Sequence, residues 1–252
     1  MESHAKLARL TQLRDAWSSC RACQLSEHRK SVVFGYGNVD ADLLVLGETP
    51  GAQEDEQGAP FVGPAGILLD QYLGQVSDDP EVVQACTAIN QAKEEDQVRL
   101  AQRRLRELLL RKYYFANIVC CRPEGNRDPA PGEIAACRPR LLEQIYTIDP
   151  LMILAVGGVA LQALLGKKMA ITTSRGELFD IEIPGRETTY TIPVFAILHT
   201  AYLLRTADFG VGSIGEKTYY DVLRAHVILD GLRMRHDGIT PPALRPRLRP
   251  GK

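Results

Sequence analysis

The sequence predicts an α/β fold: a doubly wound, mainly parallel four-stranded sheet flanked by helices, with an inserted helical segment. Two observations carry this. Runs of β-branched and aliphatic residues recur at Asp42–Gly47, Tyr113–Val119, Leu151–Gly157 and Thr191–Leu198, and three of the four pass directly into polar or glycine-rich turns. Such runs read as strands buried on both faces. Helical periodicity fills the intervals, at Ala65–Leu73, Pro131–Ile148, Val159–Leu165 and from Glu216 to about Arg235. Alternation of strand and helix favours a sheet wound in both directions, with function at the strand C-termini.

At 252 residues, with 45% hydrophobic and 24% charged residues, the chain is long enough to bury a full core, and residues 1–240 are expected to form a single domain. Met1 to Ala16 is polar and amphipathic, without the apolar centre of a signal peptide, and no apolar run reaches the roughly 18 residues of a membrane helix. A monomeric cytoplasmic protein without membrane contact is expected. The interval from about Gly74 to Lys112 exceeds a usual crossover, so residues 75–112 read as an insertion. Its second half repeats apolar residues at Val98, Ala101, Leu105, Leu108 and Leu109, the mark of an amphipathic helix, with Arg99, Arg103 and Arg106 on the face assigned to water. The proline- and arginine-rich residues 241–252 read as a flexible basic tail. A net charge of −1 gives no global reason to bind nucleic acid, yet Arg99 to Arg140 holds ten basic and four acidic residues, a local patch for a polyanion.

In a reducing compartment the six cysteines point to metal rather than to disulfides. Cys20 and Cys23 form a C-x-x-C, and Cys121 and Cys137 stand sixteen apart around the loop RPEGNRDPAPGE. Four thiolates suit either zinc or a [4Fe–4S] cluster, and spacing does not separate the two. Cys120 adjoins Cys121 and is an alternative ligand, while Cys86 reads as an ordinary thiol.

The strand ending LLVLG runs into GETPGAQEDEQGAPFVGPAGILL. Gly47, Pro50 and Gly51 make a tight turn off the strand. Gly58 and Gly63 let backbone approach a ligand, and the helix starting near Ala65 offers free N–H groups. Glu48, Glu54 and Asp55 stand beside Phe61, taken as exposed. Together with NIVCCRPEGNRDPAPGEIAACRP and, more loosely, HTAYLLR, this segment resembles the family 4 iron–sulfur uracil-DNA glycosylases.

That resemblance implies a DNA glycosylase that flips uracil out of DNA, removes it hydrolytically and leaves an abasic site. Phe61 would stack on the base, over the floor that begins at Gly47, and the Asn117 amide would pair with uracil O4 and N3. His199 would donate to O2, with Glu48 or Glu54, and less readily Asp55, orienting water. Arg122 and Arg127 in the basic loop, and Leu204 and Arg205 after the histidine, would meet DNA. Cys20, Cys23, Cys121 and Cys137 would hold a structural [4Fe–4S] cluster. Where related enzymes have a histidine–proline pair, Thr200 follows His199; it permits more backbone conformations, so a looser histidine is expected. Thr200 and the insertion motivate a rival reading, a non-catalytic iron–sulfur DNA-binding protein. A zinc-bound hydrolase of free nucleotides is a third.

Overall fold

Successive residues of the central strands go to opposite sides of a sheet that is covered on both. Leu43 and Val45 join one apolar cluster, and Leu44 and Leu46 join the other. The computed structural model describes residues 1–184 and 189–239, and the basic tail lies outside the described residues.

In chain order the elements are α1 (Ser3–Trp17), β1 (Tyr36–Gly37), β2 (Leu43–Gly47), α2 (Ala52–Gln57), α3 (Pro64–Gln75), α4 (Pro80–Gln91), α5 (Glu95–Lys112) and β3 (Tyr114–Asn117). There follow α6 (Pro131–Ile148), β4 (Met152–Val156), α7 (Gly158–Leu165), α8 (Ile171–Ser174), β5 (Leu178–Pro184), β6 (Thr189–Ile197), α9 (Thr200–Thr206) and α10 (Ile214–His236). The sheet order is β1-β3-β2-β4-β6-β5. The four predicted strands, β3, β2, β4 and β6, pair in parallel, and β1 and β5 add antiparallel edges. From β2 the chain passes to β3 on one side and then to β4 on the other, so the order of winding reverses at the end of β2. Ligands of open α/β sheets bind at such a point.

The four-strand expectation is thus corrected to six. The strand β1 has only two residues, too few for a pattern. In β5, Ile181 and Ile183 are buried between exposed Asp180 and Glu182, an alternation that a search for continuous apolar runs passes over. The insertion is a pair of helices, not one. Asp79 accepts from Glu81 N at 3.0 Å and Pro80 opens the first turn of α4, two ordinary start signals. Both helices bury their apolar stripes with α3 in the cluster that also receives α9 and α10. α1, α6 and α7 cover the opposite face. Arg106, assigned to water with Arg99 and Arg103, points inward and is 13% exposed. No helix is long and apolar enough to cross a membrane, among the described residues.

One side chain ties α6 to the end of β3. Arg140 is fully buried. Its Nη2 donates to the carbonyls of Asn117 at 2.9 Å and Ile118 at 2.7 Å, its Nη1 bonds Gln144 Oε1, and Gln144 Nε2 donates to Phe34 O at 2.8 Å. β1 pairs only with Tyr114 and Phe115, so the guanidinium holds the part of β3 that outruns its edge strand. Arg140→Met is expected to cost about 3 kcal/mol, because charged hydrogen bonds contribute roughly 1.5–3 kcal/mol each and the carbonyls stay buried. Urea unfolding measures this; a loss below about 1 kcal/mol would show that the guanidinium acts only as volume.

Candidate active site

The parallel strands end around one cavity of about 460 Å³, whose lining includes Glu48, Glu54, Phe61, Asn117, Asp128 and His199. Gly47 and Asn117 are paired residues at the ends of β2 and β3. A Cβ on Gly47 would stand 2.4 Å from Asn117 Oδ1 and 2.6 Å from Phe61 Cζ. Only glycine there lets the amide and the ring meet over the strand end.

Phe61 corrects the expectation of an exposed ring. It is 7% exposed and lies in the left-handed region at φ 58°, an uncommon place for a bulky residue. Its backbone folds onto Gly66, where a Cβ would come within 1.9 Å of Phe61 O. The ring meets Phe115 edge-on at 5.9 Å between centroids. The glycines on either side therefore set the ring's place.

The acidic residues separate by environment. Glu54 Oε1 accepts from Gly63 N at 2.7 Å and Oε2 from Gly51 N at 3.1 Å, so it closes the loop around α2 while still facing the cavity. Asp55 is buried and accepts from the N–H groups of Lys30 and Ser31 at 3.0–3.2 Å. It fastens the segment after the first cysteine pair and does not line the cavity. Glu48 is half-buried, and burial, then the charge and hydrogen bond of Asp128, push its carboxyl up to about 7. Sequence reasoning missed Asp128; its only signal is a place in the NRDP turn.

His199 follows β6 and caps α9: its Nδ1 accepts from Ala201 N at 3.1 Å. A backbone N–H can only donate, so Nδ1 carries no proton and the neutral ring's proton is on Nε2. Burial, then the charge of Arg205, push the imidazole down to about 4, with Glu54 opposing. Thr200 is fully buried and its Oγ1 donates to Ala65 O at 2.7 Å. The threonine that was expected to loosen His199 bolts the start of α9 to the first turn of α3.

Arg205 reaches the cavity rim, and Leu204 is exposed on the same short helix. In the basic loop, Arg122 Nε donates to Asn126 Oδ1 at 2.8 Å. Arg127 forms a two-pronged ion pair with Glu133, at 2.7 and 2.9 Å, which commits its guanidinium to the loop. Cys20 and Cys23 follow α1, Cys121 follows β3, and Cys137 lies on α6. Burial pushes the thiols of Cys23 and Cys121 up, and the charges of neighbouring cysteines add to it; Cys120 also senses Cys137, Cys121 and Cys20, so five thiols share one electrostatic neighbourhood. Among the described residues no group of three or more metal-ligating side chains is gathered as for a single ion. Arg29 Nη1 points at Cys121 Sγ at 3.5 Å, and Ala22 N at Cys20 Sγ at 3.5 Å. Cys120 is buried in the core beside them, its thiol pushed up to about 12 by burial. Cys86 packs against Gly74 in the other cluster.

The family model described as the uracil DNA glycosylase superfamily matches residues 34–217. The chain is similar to the type-4 uracil-DNA glycosylase of Thermotoga maritima, 38% identical over 187 residues, covering 74% of this chain and 78% of that protein. It is also similar to the proteins of the same name from Archaeoglobus fulgidus, 30% identical over 190 residues with 74% and 78% covered, and Saccharolobus solfataricus, 33% identical over 199 residues with 77% of each covered. The match runs from the approach to β1 to the start of α10 and takes in every strand end around the cavity; the chain belongs to the uracil DNA glycosylase superfamily.

Proposed function

We propose that this protein is a uracil-DNA glycosylase that takes uracil out of the base stack and hydrolyses its N-glycosidic bond, leaving an abasic site. The observation that carries the reading is His199, a neutral imidazole with Nδ1 engaged and Nε2–H free to donate, in one cavity with a ring and an amide.

A flipped base needs a stacking surface and a partner for its Watson–Crick edge. Phe61 supplies the surface. Asn117 both donates and accepts, so it can read uracil O4 and N3 together. As the C–N bond breaks, its electron pair leaves with the base, and Nε2–H of His199 donates to uracil O2 where negative charge develops. Glu48, deprotonated, orients the water that adds to C1′ and takes the proton it releases, and Glu54 holds the loop while its charge favours the cationic sugar. The released uracil anion picks up a proton from solvent. Arg122 and Arg205 would meet phosphates, and Leu204 would fill the gap left in the stack.

The four thiols fit an iron–sulfur group by donor type and by the N–H groups aimed at two of the sulfurs, Cys20 and Cys121. Cys20, Cys23, Cys121 and Cys137 would hold it. Its contribution would be structural, tying the N-terminal segment to α6 and the basic loop, since hydrolysis moves no electron.

His199→Ala is expected to lower kcat by about 10²–10³ while DNA affinity changes little, because the bond strengthens only as charge appears. Single-turnover release from uracil-containing oligonucleotides measures the first and titration of inactive complexes the second. Matching losses in both would remove His199 from the chemistry.

Glu48 works deprotonated, so with its pKa near about 7 the single-turnover rate should rise as pH increases through that value and level off above it. His199, held near about 4, stays neutral across this range and adds no limb. Asp128→Asn removes a neighbouring negative charge, lowers the Glu48 pKa and moves the rise to lower pH. A profile unmoved by Asp128→Asn would dissociate that residue from Glu48.

Cys121→Ser and Cys137→Ser should each deplete iron and the broad absorption near about 400 nm, with Cys120→Ala keeping both. The reverse pattern would make Cys120 the ligand.

A further inference from the structure

The pair α4–α5 interrupts the strand–helix repeat, yet one of its side chains comes up against the wall of the base cavity. Arg106 spends each arm of its guanidinium on a different element. Nε donates to Tyr36 Oη at 3.0 Å, Nη1 to Asp70 Oδ1 at 2.8 Å and Nη2 to Pro60 O at 2.8 Å. Its Cζ lies over the Phe115 ring, 3.9 Å from the centroid, and Phe115 is the ring that Phe61 meets edge-on.

The Pro60 contact acts directly on Phe61. The carbonyl of Pro60 and the nitrogen of Phe61 belong to one rigid peptide plane. Holding that oxygen fixes the plane about which φ of Phe61 turns, and this φ is +58°. A bulky residue keeps such a conformation only where its surroundings over-determine it. Phe61 also has room to leave. It lines the base cavity on one side and, on the other, a second cavity of about 490 Å³ walled by Gln53, Asp70, Arg99, Arg103 and Arg106. Stacking on a base needs a ring that does not retreat into that space.

We propose that Arg106 is the positioning residue for Phe61, and that the inserted helices thereby sharpen base recognition from outside the cavity. This rests on reading Phe61 as the stacking ring. A fork is required, because lysine has a single ammonium and cannot serve Asp70, the Pro60 carbonyl and the Phe115 face together.

The test uses full-length, iron-loaded protein, with uracil release from a single-stranded oligonucleotide and inhibition by free uracil as readouts. Arg106→Lys keeps a charge beside Asp70. It should raise both KM and the inhibition constant for uracil about tenfold, with a smaller effect on kcat. In a Phe61→Ala background the same substitution should add nothing, since a residue acting through Phe61 is not additive with its loss. Full additivity, or an unchanged uracil inhibition constant in Arg106→Lys, overturns the proposal while Phe61 keeps its role. An unchanged constant in Phe61→Ala alone instead overturns the stacking reading and the proposal with it. Urea unfolding checks each variant. If Arg106→Lys does not fold, Asp70→Asn with Arg106→Gln leaves no lone buried charge and gives the same comparison.

Discussion

Arg140 is the interaction on which most of the molecule's functional end depends. A fully buried cation costs several kcal/mol of lost hydration. Among the described residues no carboxylate bonds it: its acceptors are two backbone carbonyls and an amide, and its Nε has no hydrogen-bond partner there. Charge-assisted bonds of roughly 1.5–3 kcal/mol each can offset that cost only if the acceptors stay put. The residues concerned are Asn117, whose side chain faces the cavity, and Ile118, three residues before Cys121. Cys137 lies one helical turn away on α6. The backbone that carries the amide proposed to read the base, and the stretch leading to Cys121, are therefore held by the same side chain, which stands on the helix that carries Cys137, with Gln144 extending the hold to Phe34.

A second layer of constraint works by exclusion of volume. The approach of Asn117, Phe61 and β2 leaves no space for a Cβ at Gly47, and the backbone of Phe61 leaves none at Gly66. These glycines are required by contact, not by turn geometry. The consequence is a buried ring on a left-handed backbone between two cavities, which is why the contact to Pro60 O from α5 has physical meaning. The insertion thus reaches the site through a carbonyl, with no part of it needing to touch a ligand.

The parallel core was legible because a strand buried on both faces has no polar positions, and LLVLG, YYFA, MILAV and VFAIL stand out against any background. The edge strands lacked that signature. The cavity was half legible. Residue types and motif order pointed to Gly47, Glu48, Glu54, Phe61, Asn117 and His199, but not to the division of labour between the glutamates. That division depends on which carboxylate the loop's N–H groups occupy, and no spacing encodes it. Arg106 shares a helical face with Arg99 and Arg103 by periodicity, and period alone cannot tell that α3 and the Phe61 loop cover the edge of that face. Thr200 misled in the same way: backbone freedom at one residue was legible, and the hydroxyl's acceptor, Ala65 O, was not.

Burial acts on the two titrating groups of the cavity in opposite directions on the pH scale and to the same effect on charge. It raises Glu48 and lowers His199, so each is moved toward its neutral form. Glu48, raised to about 7 by burial and by Asp128, gives up its proton near neutral pH, where it can act as the proposed base. The proposed hydrolysis then creates charge at two places, a cationic sugar near Glu48 and an anionic base at His199 Nε2–H. A cavity complementary to charge that appears only during reaction binds the transition state more strongly than the substrate. The imidazole is aimed by the Ala201 N–H on α9, and the ring is seated by close contact with Gly47 and Gly66, so the groups that meet the developing charge and the base are set by backbone next to the sheet ends.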